Sequence, residues 1–141
     1  MTIDEFAQKD VVTAQPDDDL TTVVEKMRDE EVGSVVIVAE DEPISIVSDR
    51  KIAMAAADGD IRDRAVEEVM TEDLITARTD TSMDELIDTM SEEAIRRAPV
   101  VDDEGSLAGL VSMDDLLIKL AGEFDTLTRI PQKQSGKLSQ T

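Results

Sequence analysis

Residues Thr13–Ala39 of this chain recur as Thr76–Asp102 at a shift of 63, keeping Thr13/Thr76, Ala14/Ala77, Asp17/Asp80, Met27/Met90, Glu30/Glu93 and Val38/Val101. The match then continues at a shift of 64 through Val47/Val111 and Ser48/Ser112, so one copy holds an extra residue in its hairpin. A unit of about 60 residues buries too little apolar surface to be secure alone. Two copies are therefore expected to share one core across a pseudo-twofold axis, and the cleft between them is the first place to look for function.

Hydrophobic spacing sets the elements within each copy. Leu20, Val23, Val24 and Met27 fall at i, i+3, i+4 and i+7, and Met83, Leu86, Ile87 and Met90 repeat that spacing, which predicts two amphipathic helices. Ser82 and Glu85 form a capping box at the start of the second of these helices, and Asp19 holds the equivalent place in the first. Val35–Ala39 and Ala98–Val101 read as strands ending in the turn compositions Glu40-Asp41-Glu42-Pro43 and Asp102-Asp103-Glu104-Gly105. Return strands are expected at Ile44–Val47 and Leu107–Val111, and closing helices at about Arg50–Ala57 and Asp114–Glu123. Asp58–Arg64 reads as a linker, and Ala65–Met70 as a short helix. The fold class is α/β of the α+β type: two β-α-β-β-α repeats, residues 6–60 and 65–124, packed as a pseudo-twofold pair. Residues 125–141 form an extension, and from Gln132 onward its composition predicts a mobile polar tail.

Thirty-four Asp and Glu against 14 Lys and Arg give a net charge of −20, and the first 128 residues hold all of the acids with 11 of the cations. Such self-repulsion opposes compaction in dilute buffer, whereas at about 1 M salt the screening length falls to about 3 Å. The balance suggests a salt-rich cytoplasm, as in halophilic microbes; an acidic surface kept for solubility or for a basic partner is the other reading. It argues against sequence-independent binding to nucleic acid. No apolar run reaches the roughly 18 residues of a membrane helix, so a cytoplasmic protein without membrane contact is expected.

The chain has no His, Cys, Trp or Tyr, which removes the commonest general base and the thiolate nucleophile. No phosphate-loop, dinucleotide or nucleophile-elbow motif occurs, and no loop organises ligands for a metal ion. Neither a catalytic residue nor a metal site is expected, and the chain reads as a non-enzyme. The informative stretch is the strand-to-helix corner Gly109-Leu110-Val111-Ser112-Met113-Asp114-Asp115. A helix N-terminus attracts anions, Ser112 offers a hydroxyl to a phosphate or sugar oxygen, and Asp115 is suited to accept from both hydroxyls of a ribose. The alternative is that Ser112 is simply an N-cap and Asp115 a first-turn acid favoured by the helix dipole.

The motifs Val69-Met70-Thr71, Ala98-Pro99-Val100-Val101-Asp102 and the Gly109-to-Asp115 corner, in this order within a duplicated chain, resemble a tandem pair of CBS domains, the module named after cystathionine β-synthase. The resemblance covers residues 6–124. It implies an adenine nucleotide, AMP, ADP or ATP, with or without Mg²⁺, held between the repeats, as in the regulatory regions of inosine monophosphate dehydrogenase and the gamma subunit of AMP-activated kinase. Carried over position by position, Ser112 and Asp115 match the hydroxyl and ribose carboxylate, and Arg96 and Arg97 match the basic pair that meets the phosphates. The base is then expected near Val12, Val32, Gly33 and Ser34, with Arg50 approaching the phosphates from the opposite corner. For Arg96 and Arg97 the other reading is a helix-end pair balancing Glu92 and Glu93.

The first copy departs from the pattern. Ser45 stands in place of the expected Gly, and Lys51 where the carboxylate should be, and an ammonium cannot accept from a diol. Ile75 and Ile95 would face a base there, but Gly33 and Ser34 replace the phosphate-meeting pair, so one competent site is expected. The function implied is a ligand-sensing regulatory module acting on a partner protein, with homodimers as a common family arrangement. The alternatives are a structural dimerisation module without nucleotide, a sensor of S-adenosylmethionine, and a carboxylate-based nucleotide hydrolase.

Overall fold

The computed structural model describes residues 2–71 and 73–138, with side chains described through Arg129. Its two halves are built alike. In the first, β1 (Thr13–Ala14) lies parallel to β2 (Ser34–Ala39), which pairs antiparallel with β3 (Glu42–Ser48), giving sheet order β1-β2-β3. Helix α1 (Leu20–Glu30) connects β1 to β2, and α2 (Asp49–Ala56) follows β3. The second half repeats this with β4 (Ala77–Arg78), α3 (Met83–Glu93), β5 (Arg97–Val101), β6 (Leu107–Ser112) and α4 (Met113–Leu138), in sheet order β4-β5-β6.

The local signals act as their chemistry demands. Asp19 Oδ1 accepts from the Thr22 N–H at 2.8 Å at the start of α1. That bond holds the Asp19 carboxyl below its ordinary value, so its help to folding is present above the unfolded value of 3.8 and is lost as pH falls through the lowered one. At α3, Ser82 Oγ accepts from the Glu85 N–H at 3.1 Å and donates to Glu85 Oε1 at 3.2 Å. Leu20, Val23 and Met27 are buried on α1, as are Met83, Leu86 and Met90 on α3, while the fourth member of each stripe, Val24 or Ile87, sits at the rim at 38% exposure. Both helices end on a left-handed residue that is not glycine, Glu31 and Ala94, each with φ of 55°. The first hairpin turns on Glu40 and Asp41, both at positive φ as a two-residue turn of this twist requires, whereas the second closes through the longer Asp102–Ser106 loop with Gly105 at φ 82°.

The expectation of one shared core is corrected by the packing. There are two aliphatic clusters, one per repeat, and each is completed by a segment belonging to the other half of the chain. Ile3 and Ala7 pack with Ala77, Met83, Leu86, Met90, Ala98, Val100, Val111 and Leu116 of the second repeat. Val66 and Val69 pack with Leu20, Val23, Met27, Val35, Ile37 and Val47 of the first. Backbone bonds fix both arms: Ile3 N–H to Thr81 O at 3.0 Å and Gln8 N–H to Leu110 O at 2.8 Å on one side, Val66 N–H to Asp18 O at 2.9 Å and Leu20 N–H to Arg64 O at 2.8 Å on the other. The arms are themselves repeat-equivalent, each a short 3₁₀ turn, Ile3–Glu5 and Val66–Val69. Each half alone exposes the apolar seat of its arm, and exchange buries both.

Ser45 has a structural explanation. Its repeat equivalent, Gly109, lies under the leading arm, where a β-carbon would stand 3.0 Å from Gln8 O. In the first repeat the hydroxyl of Ser45, fully buried, accepts from the Thr71 N–H at 3.0 Å and shares a bond with Thr71 Oγ1 at 3.1 Å. It replaces with a side chain the backbone pairing that Gln8 and Leu110 make opposite. Ser45→Ala is expected to lower stability by about 1 kcal/mol, because it removes the buried hydroxyl that ties β3 to the Thr71 backbone and side chain; denaturant unfolding checks this, and a change below about 0.5 kcal/mol would mean that the bond does not matter.

The closing helix of the second repeat differs from its expected end at Glu123. The backbone remains helical through Leu138, so the stretch expected to be a polar tail from Gln132 is helical as far as the described residues go, and 139–141 lie outside them. Capping signals are absent between Glu123 and Arg129, and nothing there stops a helix already nucleated at Met113. Pro131 removes one backbone donor from it.

Candidate functional site

The exchange of arms leaves a cleft of about 290 Å³ where the repeats meet, near the lower end of the range of small-molecule sites, roughly 300–1,000 Å³. Symmetry of the local backbone builds it. Asp49 N–H donates to Gly33 O at 2.9 Å and Met113 N–H to Arg96 O at 2.7 Å, equivalent bonds that hold each helix entry against the start of its own central strand. Because position 96 corresponds to 33 and 97 to 34, the second repeat presents two guanidiniums where the first presents Gly33 and Ser34.

Of the residues expected at the site, the cleft brings together Val12, Val32, Gly33 and Ser34 from the first repeat with Arg96, Arg97, Ser112 and Asp115 from the second. Arg50 is not among them: it is exposed at the start of α2, and its neighbour Asp49 takes the place beside Gly33 instead. A one-residue step along a helix start rotates the side chain by about 100°, so spacing alone does not select between the two. The wall also includes Gln8, Val11, Leu110, Met113 and Asp114. Gln8 escaped a reading based on repeats because its backbone bridge to Leu110 comes from the exchanged arm.

Ser112 is an N-cap: its Oγ accepts from the Asp115 N–H at 3.1 Å. That bond uses an oxygen lone pair and leaves the hydroxyl proton available to a second acceptor. Asp115 is half-buried on the cleft wall, and Arg97, the first residue of β5, is half-buried beside Ser112, its register partner on β6. Neither Arg96 nor Arg97 forms an ion pair among the described residues, so Glu92 and Glu93 do not neutralise them. In a chain of net charge −20, these two cations offset Asp114 and Asp115 on the same wall, so the concavity is far less acidic than the rest of the surface. The chemistry on offer is recognition: apolar walls for a flat ring, a carboxylate acceptor for hydroxyls, and cations for an anion.

In the first repeat the equivalent corner places Lys51 where Asp115 stands. Lys51 donates its backbone N–H to Ser48 Oγ at 3.2 Å, the same cap without the carboxylate. Among the described residues no grouping of three or more acidic side chains could hold a metal ion, and no helix is long and apolar enough to cross a membrane.

The geometry has close relatives. A protein of Methanopyrus kandleri, the uncharacterized protein MK0525, is 37% identical over 120 residues, which is 83% of this chain and 61% of that protein. The inosine-5'-monophosphate dehydrogenase of Methanocaldococcus jannaschii is 31% identical over 115 residues, 81% of this chain but 22% of the enzyme. The chain thus spans less than two thirds of either relative. Among solved structures, the CBS domain pair of protein MJ0100, crystallised with 5'-methylthioadenosine and S-adenosyl-L-methionine, matches with a TM-score of 0.76 at 26% identity, covering 85% of this chain and 99% of that one. The CBS domain family model matches residues 3–58 and again 66–122, each match taking in an arm and the repeat that follows it in sequence. Duplicated throughout in this way, the chain belongs to the CBS domain family, as a tandem pair.

Proposed function

We propose that this CBS pair is a regulatory module that binds an adenosine ligand, AMP, ADP or ATP, in the cleft between its repeats and passes the ligand state to a partner protein. The observation that carries the reading is the convergence, in one concavity, of Asp115, Ser112, Arg96 and Arg97, the two arginines without an ion pair among the described residues, against the apolar Val12 and Val32. Its walls suit a purine, the carboxylate suits a ribose diol, and the guanidiniums suit phosphate. The MJ0100 pair, with thioadenosine ligands, supports the adenosine part and keeps an S-adenosylmethionine-type ligand in view. Regulation then rests on the ligand's different affinity for two arrangements of the repeats. Calorimetric titration with AMP, ADP, ATP and S-adenosylmethionine in KCl is the test: saturable heat at one equivalent per chain is expected, and silence with all four leaves a purely structural module as the better description.

The proposal extends to self-association. On α4, Leu117, Leu120, Phe124 and Leu127 fall at i, i+3, i+7 and i+10 and are 41–69% exposed, the spacing of a two-helix seam. Acids crowd the first half of this helix, while Arg129, Lys133 and Lys137 follow in the chain without an acid among them, so an antiparallel partner of the same sequence matches in charge. A monomer in sedimentation equilibrium at micromolar concentration would sink this part.

A further inference from the structure

The cleft carries a feature that the two repeats do not share. Asp49 Oδ2 lies 3.4 Å, and Arg97 Nη2 3.7 Å, from the point where a β-carbon would stand on Gly33. With no side chain on Gly33 to separate them, the exposed carboxylate of Asp49 stands beside the cleft at Gly33, outside the residues that line it, and close to the guanidinium of Arg97 on the cleft wall, yet no ion pair joins them among the described residues. The equivalent position in the second repeat is Met113, at the same first turn and with the same backbone bond, so the fold does not require an acid there. Around the cleft, Arg96 and Arg97 are matched in number by Asp114 and Asp115, and Asp49 tips the local balance to one negative charge.

We infer that Asp49 is a specificity-determining residue that limits the negative charge of the ligand: an anion seated on Arg97 lies in its field, and each added phosphate raises the repulsion. The favoured class is an adenosine bearing at most one phosphate, or an uncharged or cationic thioadenosine, over the triphosphate. This rests on the adenosine reading of the cleft. The Asp49 side chain makes no bond that the cleft wall depends on; among the described residues its carboxylate accepts only from the adjacent Arg50 N–H, at 2.7 Å, and the backbone bond to Gly33 O does not need the carboxylate.

The test is a set of calorimetric titrations of the full chain and of Asp49→Asn with 5'-methylthioadenosine, AMP and ATP, at the lowest KCl concentration at which thermal melting shows both proteins folded. In the native chain AMP is expected to bind about tenfold or more tighter than ATP, and Asp49→Asn to tighten ATP by about tenfold, AMP by about threefold and the neutral ligand by less than about twofold. The gap between AMP and ATP should narrow as KCl rises toward about 1 M, where screening acts within about 3 Å. ATP binding as tightly as AMP in the native chain, or an equal change for all three ligands in the variant, overturns the role of Asp49 while leaving the adenosine site standing. Absence of binding by every ligand overturns the site and this inference together.

Discussion

Ile3→Ala is expected to lower the folding stability of the whole chain by about 2–5 kcal/mol, the range for truncating a fully buried branched side chain. The expectation is counter-intuitive for a residue so near a chain start, where substitutions are ordinarily absorbed by fraying. Here Ile3 is wholly buried among Met83, Leu86 and Met90, some eighty positions away in sequence, and its arm is fixed by backbone bonds to Thr81 and Leu110. Val66 holds the matching place in the first repeat's core and is equally buried, so Val66→Ala should act in the same direction with a smaller volume lost. Denaturant unfolding at fixed KCl reads both. A loss for Ile3→Ala below about 0.5 kcal/mol, the ordinary surface value, would mean that the leading arm does not dock.

Asp115→Ala is expected to weaken adenosine binding by about 1–3 kcal/mol, from roughly fivefold to more than a hundredfold, and Arg97→Ala to act similarly on phosphate-bearing ligands. The reason is asymmetry of contact: a buried diol left without its acceptor loses water and gains nothing in return. The fold should not notice the change, since the Asp115 backbone makes the cap with Ser112 and its carboxylate has no hydrogen-bond or ion-pair partner among the described residues. Lys51→Ala, at the equivalent corner of the first repeat, should change affinity little or improve it. Titration of the three variants, with circular dichroism to confirm unchanged helix content, separates a ligand role from a structural one. Equal losses from Lys51→Ala and Asp115→Ala would place the ligand at the other corner.

The elements were legible because their signals are local. A stripe such as Leu20, Val23 and Met27 with Asp19 before it specifies a helix and its start with little help from the rest of the chain, and α1 begins where that pattern says. The strand-to-helix corner was legible too, because Ser112 and Asp115 are three residues apart and must share a helix entry. What escaped is non-local. Nothing in Ile3-Asp4-Glu5-Phe6 says which repeat it will cover; that follows only from topology, in which each arm reaches past its own repeat. Arg50 and Asp49 show a finer limit: both flank the cleft in sequence, and the orientation of the first turn of α2 selects Asp49 to stand beside Gly33. Past Glu123, the polar composition conceals the alternative that a helix once started continues, and α4 does so.

The inequality of the two corners, guanidiniums and a carboxylate on one side against Gly33, Ser34 and Lys51 on the other, bears on how such a module reports concentration. Under the proposed reading, a single adenosine seat per polypeptide would make occupancy climb along a plain saturation curve, and the chain by itself would be a graded gauge rather than a threshold device. Any steep, switch-like response must then originate between polypeptides, in whatever joins one copy to the next.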